Sequence, residues 1–186
     1  MPLTPFHLGP ALLLGALFEK RINIISILLA SILVDTRAFY CFFFGCTGKF
    51  HGPLHTLLGT TIIALAVLLI IWNLKRHLKK ITDTLKIRNN YSLQSIILGS
   101  FIGAWSHIIL DSFMHPDIMP LWPIESNFLL GLITNKTNYL ICTIALAAGL
   151  TIFIYKLYKR LSPPYSKSIS PPYQRKTPSG FAIRSS

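Results

Sequence analysis

The chain has 186 residues, of which 52% are hydrophobic and 13% are charged. A soluble domain has about 25% charged residues, and a soluble protein this small has too little interior to bury so much apolar surface. The composition therefore excludes an ordinary soluble domain and predicts one membrane-embedded domain.

The net charge of +12 is gathered in clusters rather than spread over one surface. Six of the 18 lysines and arginines lie between Lys75 and Arg88, and seven lie from Lys156 to Arg184. Basic clusters beside apolar runs follow the positive-inside rule, whereas a nucleic-acid site needs basic residues interleaved with stacking aromatic side chains. We therefore expect the lipid bilayer as a partner and no nucleic acid.

Two short apolar segments come first in the chain, residues 8–18 and 22–34, with the charged triplet Glu19-Lys20-Arg21 between them. Each segment is short for a full membrane crossing, and three charges at mid-membrane would be costly. The pattern predicts a short helical hairpin whose turn lies at the membrane surface.

Three longer apolar runs follow, at residues 54–73, 93–113 and 139–155. The first of them corresponds to about 30 Å of helix, enough to cross the hydrocarbon core. The sequence thus predicts an all-α, polytopic membrane helix bundle of about three full spans plus the N-terminal hairpin, over residues 1–160. Residues 161–186 contain two Ser-Pro-Pro-Tyr segments and scattered basic residues, and they are predicted to form a disordered tail.

The charge asymmetry also predicts an orientation. With the loop at residues 75–88, the charged turn and the tail in the cytoplasm, fifteen basic residues lie inside and three lie outside, namely Arg37, Lys49 and Lys136. We therefore expect a multi-pass protein of the inner (cytoplasmic) membrane, with its amino terminus outside and its tail in the cytoplasm.

Residues of metal-ligand type gather at the predicted outer ends of these helices. They are His7, Asp35, His51, His55, His107, Asp111 and His115. The orientation depends on lysine and arginine alone, so this convergence supports it independently. The sixth histidine, His77, lies among basic residues at the opposite end and is predicted to be solvated.

The spacing of these residues predicts which way they face. His107, Asp111 and His115 are four residues apart, so they form one stripe if the helix runs through His115. Gly99 and Gly103 continue that stripe, and small residues in lipid mark helix faces that pack against neighbours. The polar stripe is therefore predicted to face the interior of the bundle.

His55 and Gly59 repeat this four-residue spacing on the preceding span. Pro53 suits the first turn of a helix, which would place His55 within that turn and His51 just before it. A single intramembrane histidine is more often a hydrogen-bond partner between helices than a ligand. His107 and Asp111 together favour a functional site, because an unpaired carboxylate near hydrocarbon is costly.

Imidazole and carboxylate ligands suit zinc, and also manganese or iron. The three cysteines, Cys41, Cys46 and Cys142, lack the spacing of a closed structural zinc site, and either a Cys41–Cys46 disulfide or two packed thiols fits the pair. More ligands are present than one tetrahedral ion needs, so two ions fit, as does one ion with carboxylates that orient the imidazoles. We predict a divalent metal, with zinc as the first choice.

The same residues lie in motifs that resemble a known family. The motifs are Thr4-Pro5-Phe6-His7, His51-Gly52-Pro53-Leu54-His55-Thr56, Ser106-His107-Ile108-Ile109-Leu110-Asp111, His115-Pro116 and Pro120-Leu121-Trp122-Pro123. In them the chain is similar to the membrane-bound YdjM-like family of metal-dependent hydrolases, which is distantly similar to zinc-dependent phospholipase C. The resemblance implies hydrolysis at a histidine-rich metal site. Family members often carry Pro-Asp-x-Asp where this chain has Val34-Asp35-Thr36-Arg37 and keeps one acid.

The predicted function is metal-assisted hydrolysis at the membrane–water boundary, on a phosphoester or lipid-linked substrate. The preferred direct ligands are His51, His55, His107 and Asp111. The set is completed, as ligands or as a general base, by His7, Asp35 and His115. Asp117 and Glu125 in the outer loop are weaker candidates for proton transfer.

Two other classes of function are alternatives. One is a metal-binding membrane protein or small ion transporter without hydrolytic activity, and the other is a structural membrane protein. A transporter needs polar residues along the whole crossing, whereas the inner halves of residues 54–73 and 139–155 are purely apolar. The sequence therefore favours the hydrolase over the transporter.

Overall fold

The computed structural model of the chain describes residues 7–45 and 51–162. Over these ranges it contains six α-helices, one short 3-10 turn and no strand. The elements in chain order are α1 (Leu8–Leu17), α2 (Ile24–Val34), α3 (Thr36–Phe44), the 3-10 turn (Pro53–His55), α4 (Leu57–Thr84), α5 (Leu93–Ser112) and α6 (Asn135–Leu161). The predicted all-α bundle is confirmed.

Three helices, α4, α5 and α6, are long and apolar enough to cross a membrane, and they match the three predicted runs. Together α2 and α3 also pass this test as one broken span, with a bend of 44° between them. Asp35 lies at the bend, since it ends α2 and precedes the first residue of α3. Helix α3 has no counterpart among the predicted elements.

The predicted N-terminal hairpin is confirmed. Helices α1 and α2 pack against each other, and α1 also packs along α6. The charged turn between α1 and α2 is bonded to α6, because Arg160 Nη2 donates hydrogen bonds of 2.6 and 2.7 Å to the two carboxylate oxygens of Glu19. Lys156 Nζ donates to the carbonyl oxygen of Ala16 at 2.6 Å.

Glycines allow α5 to lie directly against α2. A Cβ added to Gly99 would lie 2.7 Å from the carbonyl oxygen of Asn23, and one added to Gly103 would lie 3.0 Å from the Cα of Ile27. Both distances are too short for a real side chain, so the glycine stripe faces a neighbouring helix, as predicted. His107 and Asp111 continue the same stripe and therefore face the interior of the bundle.

One local prediction is wrong, and the condition attached to another is not met. Thr56 accepts a hydrogen bond from the amide of Gly59 at 2.9 Å and so caps α4, which begins at Leu57. Pro53 therefore opens a separate 3-10 turn, and His55 precedes α4 instead of lying in its first turn. Helix α5 ends at Ser112, so His115 lies in the following loop and is not part of the helical stripe.

Two further predictions fall partly outside the described residues. The predicted tail lies outside them from residue 163 onward. Cys41 is disulfide-bonded and Cys142 is buried and free, while Cys46 lies outside the described residues.

Candidate metal centre

Four of the predicted ligands meet in one buried group, the inner cluster: Asp35, His55, His107 and Asp111. They come from the bend between α2 and α3, from the 3-10 turn and from α5. Each offers one ligand atom, and these four atoms all lie within 4.8 Å of one another. The relative exposure of the four residues is 5%, 1%, 1% and 3%, respectively, so the cluster is closed to bulk water.

The ligand atoms of the inner cluster alternate between nitrogen and oxygen around a ring. His55 Nε2 lies 3.1 Å from Asp35 Oδ1 and 3.5 Å from Asp111 Oδ2. His107 Nε2 lies 3.2 Å from Asp35 Oδ1 and 3.0 Å from Asp111 Oδ2. Neighbouring ligands of a tetrahedral ion at about 2.0–2.1 Å are themselves about 3.3–3.4 Å apart. The four nitrogen–oxygen separations are close to this spacing, so the inner cluster could hold a divalent metal ion.

The charges of the inner cluster agree with this geometry. Two carboxylates, those of Asp35 and Asp111, are taken out of water together, and a buried charge is costly unless it is paired. Each is paired here with the imidazoles of His55 and His107. A divalent cation would balance both negative charges while the imidazoles stay neutral, which is the form in which histidine binds metals.

Two side chains outside the ring of ligand atoms contact members of the inner cluster. His7, which immediately precedes α1, places its Nε2 3.3 Å from Asp111 Oδ1, the carboxylate oxygen that is turned away from the ring. Ser31 Oγ of α2 lies 3.3 Å from His107 Nδ1. Contacts of this kind set the orientation of metal ligands. His7 Nδ1 and His55 Nδ1 are buried and lack a hydrogen-bond partner among the described residues, which leaves capacity for a bound group or water.

Two of the remaining predicted ligands, His51 and His115, form a second group together with Asp117, which we call the outer cluster. His51 Nδ1 lies 2.9 and 3.0 Å from the two carboxylate oxygens of Asp117, and its ring is 4.2 Å from that of His115. The His51 ring is also 4.8 Å from the ring of His55. The seven predicted residues therefore come together, but in two adjacent groups: His51 and His115 lie in the outer one, and the rest lie in or against the inner one.

The loop after α5 positions His115 and Asp117 next to His51. Leu57 at the start of α4 donates its amide hydrogen bond to the carbonyl oxygen of Pro120 at 2.8 Å. Asn127 Nδ2 donates to the carbonyl oxygen of Ser112 at 2.8 Å and to that of His115 at 3.2 Å. These bonds fold the loop back over the 3-10 turn, which brings Asp117 to His51.

Burial and neighbouring charges shape the outer cluster. Burial lowers the pKa of His115, and the nearby His51 lowers it further, so the His115 imidazole is neutral at pH 7. Burial opposes ionisation of Asp117, but hydrogen bonds and charge from His51 outweigh it and hold the pKa of that carboxyl below its usual value. The outer cluster thus contains one carboxylate and a neutral imidazole that can accept a proton.

Asp117 was predicted as a weaker candidate than the seven ligands, but it lies in the outer cluster. Its only sequence signal was its position two residues after His115, and the contact with His51 depends on the loop conformation. Glu125, ranked equally, is exposed and belongs to neither cluster. His77 is exposed at the far end of α4, as predicted.

A cavity of about 390 Å³ opens beside the outer cluster. Its lining residues are Arg37, His51, Gly52, Pro53, Thr56, Asp117, Met119 and Trp122. Gly52 allows the Arg37 side chain to approach closely, because a Cβ at that position would lie 2.8 Å from the guanidinium carbon. Arg37 occupies the position at which the family pattern often has its second acid, so the cavity carries a cation there.

The fold and the two clusters define a polytopic helical membrane protein with a buried histidine–aspartate centre that could hold a metal ion. The chain belongs to the YdjM inner membrane protein family, whose sequence model matches residues 4–164. No curated protein and no solved structure shows a significant match to this chain.

Proposed function

We propose that this chain is a metal-dependent hydrolase that acts at the membrane–water boundary on an amphiphilic phosphoester. The observation that carries the proposal is the ring of alternating nitrogen and oxygen ligand atoms in the inner cluster, at separations of 3.0–3.5 Å. Asp35, His55, His107 and Asp111 are the proposed ligands. The charge asymmetry of the chain supports an outward-facing site.

Asp35, His55, His107 and Asp111 would hold a divalent ion, which would supply Lewis-acid chemistry toward a phosphoryl or carbonyl oxygen and toward a water molecule. The protein residues provide orientation and proton transfer. His7 and Ser31 fix Asp111 and His107. In the proposed mechanism, the neutral imidazole of His115 accepts a proton from water at the edge of the site, and His51 links the two clusters.

The outer cavity supports the proposed substrate class. One end of it carries the Arg37 guanidinium, which suits a phosphate group because it can donate parallel hydrogen bonds. The rest of the lining includes apolar residues, Met119 and Trp122 among them, together with His51 and Asp117 of the outer cluster. A phosphate with an attached apolar chain matches both parts. This arrangement favours an ester with a lipid-like tail over a small hydrophilic one.

The proposal is tested with two chromogenic phosphodiesters that differ only in their tail, p-nitrophenyl methyl phosphate and p-nitrophenyl octyl phosphate. Zinc-loaded wild-type protein in neutral detergent is expected to release p-nitrophenol from both, with the lower KM for the octyl ester. His55→Ala removes a proposed ligand and should reduce turnover to background. His77→Ala, an exposed histidine outside the site, is the matched control and should keep full activity.

Replacement of Arg37 by glutamine separates binding from chemistry in the same assay. We expect a higher KM for both esters and a smaller change in kcat, because the guanidinium holds the phosphate and does not touch the ion. Stoichiometric zinc without turnover of either ester would contradict the hydrolase proposal and leave a metal-binding protein.

The packing of α2 against α5 argues against the transporter alternative. Close backbone approach at Gly99 and Gly103 leaves no room for a water-filled path between these two helices. Two polar side chains of this interface bond to nearby backbone: Ser26 Oγ donates to the carbonyl oxygen of Asn23 at 2.9 Å, and Ser95 Oγ donates to that of Asn90 at 2.7 Å. They stabilise the helix pair and do not form a chain of ion ligands.

A further inference from the structure

A second, larger cavity of about 630 Å³ lies at the opposite end of the bundle from the metal clusters. Helix α4 connects the two ends: its first residue follows the 3-10 turn that carries His55, whereas Lys75 and Lys79 line the far cavity. The separation of the two ends along α4 is about 30 Å at 1.5 Å per residue. We refer to this second cavity as the basic cavity.

The lining of the basic cavity is strongly cationic. Five basic residues contribute to it, namely Lys20, Lys75, Arg76, Lys79 and Arg88. The one acidic residue in the lining is Glu19, and its carboxylate is already bonded to Arg160 of α6 at 2.6 and 2.7 Å. The cavity therefore keeps an excess of positive charge that an anion would neutralise.

Hydrogen bonds within the protein hold the wall of the basic cavity in place. Asn90 Nδ2 donates to the carbonyl oxygen of Lys20 at 2.6 Å, and Asn23 Nδ2 donates to that of Asn90 at 2.7 Å. These bonds tie the loop between α4 and α5 to the turn between α1 and α2. Asn89 Oδ1 accepts from the amide of Ile24 at 2.9 Å, and Asn89 Nδ2 is buried without an acceptor among the described residues. A residue that lines the cavity thus has a buried donor without an acceptor.

The position of the basic cavity indicates that the anion belongs to a lipid headgroup. Lys75 Nζ lies 3.0 Å from the centroid of the Trp72 ring, and tryptophan is enriched at the level of lipid headgroups. Leu69 and Arg76 are seven residues apart and share a face of α4 with Trp72. Leu69 and Trp72 are 61% and 38% exposed, so an acyl chain can lie along this face while its headgroup reaches the cations.

We propose that the basic cavity is a binding site for the phosphodiester headgroup of an anionic phospholipid. The cations and the Asn89 amide contact the phosphate oxygens, and the acyl chains follow the apolar face of α4. Basic pockets between membrane helices bind anionic headgroups in this way. The site is separate from the metal clusters and does not depend on the proposed hydrolytic activity.

The test uses full-length protein in neutral detergent and native mass spectrometry to count bound lipids. The ligands are dioctanoyl phosphatidylglycerol, which is anionic, and dioctanoyl phosphatidylcholine, which has the same chains and no net charge. We expect one phosphatidylglycerol to bind at least about tenfold more tightly than phosphatidylcholine. Lys79→Gln and Arg88→Gln should each weaken that binding about fivefold.

Lys80→Gln is the matched control. Lys80 follows Lys79 on α4 and is exposed, but it does not line the basic cavity, and its substitution removes the same charge. It should leave lipid binding unchanged. Equal losses for Lys79→Gln and Lys80→Gln would mean general surface attraction and would overturn the site. Competition by inorganic phosphate at the same concentration as the lipid would also overturn it, since the site would then bind free phosphate.

Discussion

Replacement of Asp111 by asparagine is expected to lower the affinity of the chain for zinc by more than about 100-fold, the upper end of the loss caused by removing a residue that only supports a ligand. Asp111 Oδ2 faces His55 and His107, and its other oxygen contacts His7 at 3.3 Å. The substitution keeps the size of the side chain and removes its negative charge. The measurement is competition for zinc against a fluorescent chelator of known affinity.

Two matched variants make this result specific. His7→Ala removes a contact to Asp111 and no ligand atom of the inner cluster, so we expect an intermediate loss of about 10- to 100-fold. Asp83→Asn changes an exposed acid near the far end of α4 and should leave zinc affinity unchanged. Wild-type affinity in Asp111→Asn, with all three proteins monodisperse, would rule out Asp111 as a ligand.

Removal of the metal is expected to lower the melting temperature of the wild-type protein by roughly 5–10 °C. A ligand present at 100 times its Kd stabilises the folded state by about 2.7 kcal/mol, and each kcal/mol shifts Tm by about 2–4 °C in a chain of this size. The physical cause is the pair of buried carboxylates, Asp35 and Asp111, which lose their counter-ion. The measurement is thermal unfolding in detergent, with zinc and after chelation.

The same scan on variants separates the metal from general effects of the chelator. Asp111→Asn should show almost no difference in melting temperature with and without chelator, because a more than 100-fold weaker affinity leaves it at most about half occupied by zinc, which stabilises by less than about 0.5 kcal/mol. Asp83→Asn should show the full wild-type difference. An unchanged Tm in chelated wild-type protein that has lost its zinc would show that the ion does not stabilise the fold.

The regular parts of this fold could be predicted from the sequence because lipid imposes strong patterns. Uncharged runs of span length became α4, α5 and α6, since a charge in hydrocarbon is costly. His107 and Asp111 could be assigned to one helix face by their four-residue spacing. Gly99 and Gly103 could be assigned to the packed side of that face, and the contacts with α2 agree.

The irregular parts could not be predicted by periodicity. No proline or glycine marks the bend at Asp35. Helix α3 has only nine residues and is rich in aromatic side chains, which favour strands. The position of His55 depends on the Thr56 cap, which competes with Pro53 for the start of α4. Asp117 contacts His51 only because long-range hydrogen bonds fold the loop after α5. Local sequence patterns do not predict such bonds.

The coordination shell of bound zinc, measured by X-ray absorption at the zinc edge on wild-type protein with one equivalent of metal, tests the inner cluster most directly. We predict four nitrogen or oxygen ligands at about 2.0–2.1 Å, with the outer-shell scattering of two imidazoles. A sulfur shell near 2.3 Å, or a six-oxygen shell without imidazole scattering, would contradict a centre made of two histidines and two aspartates.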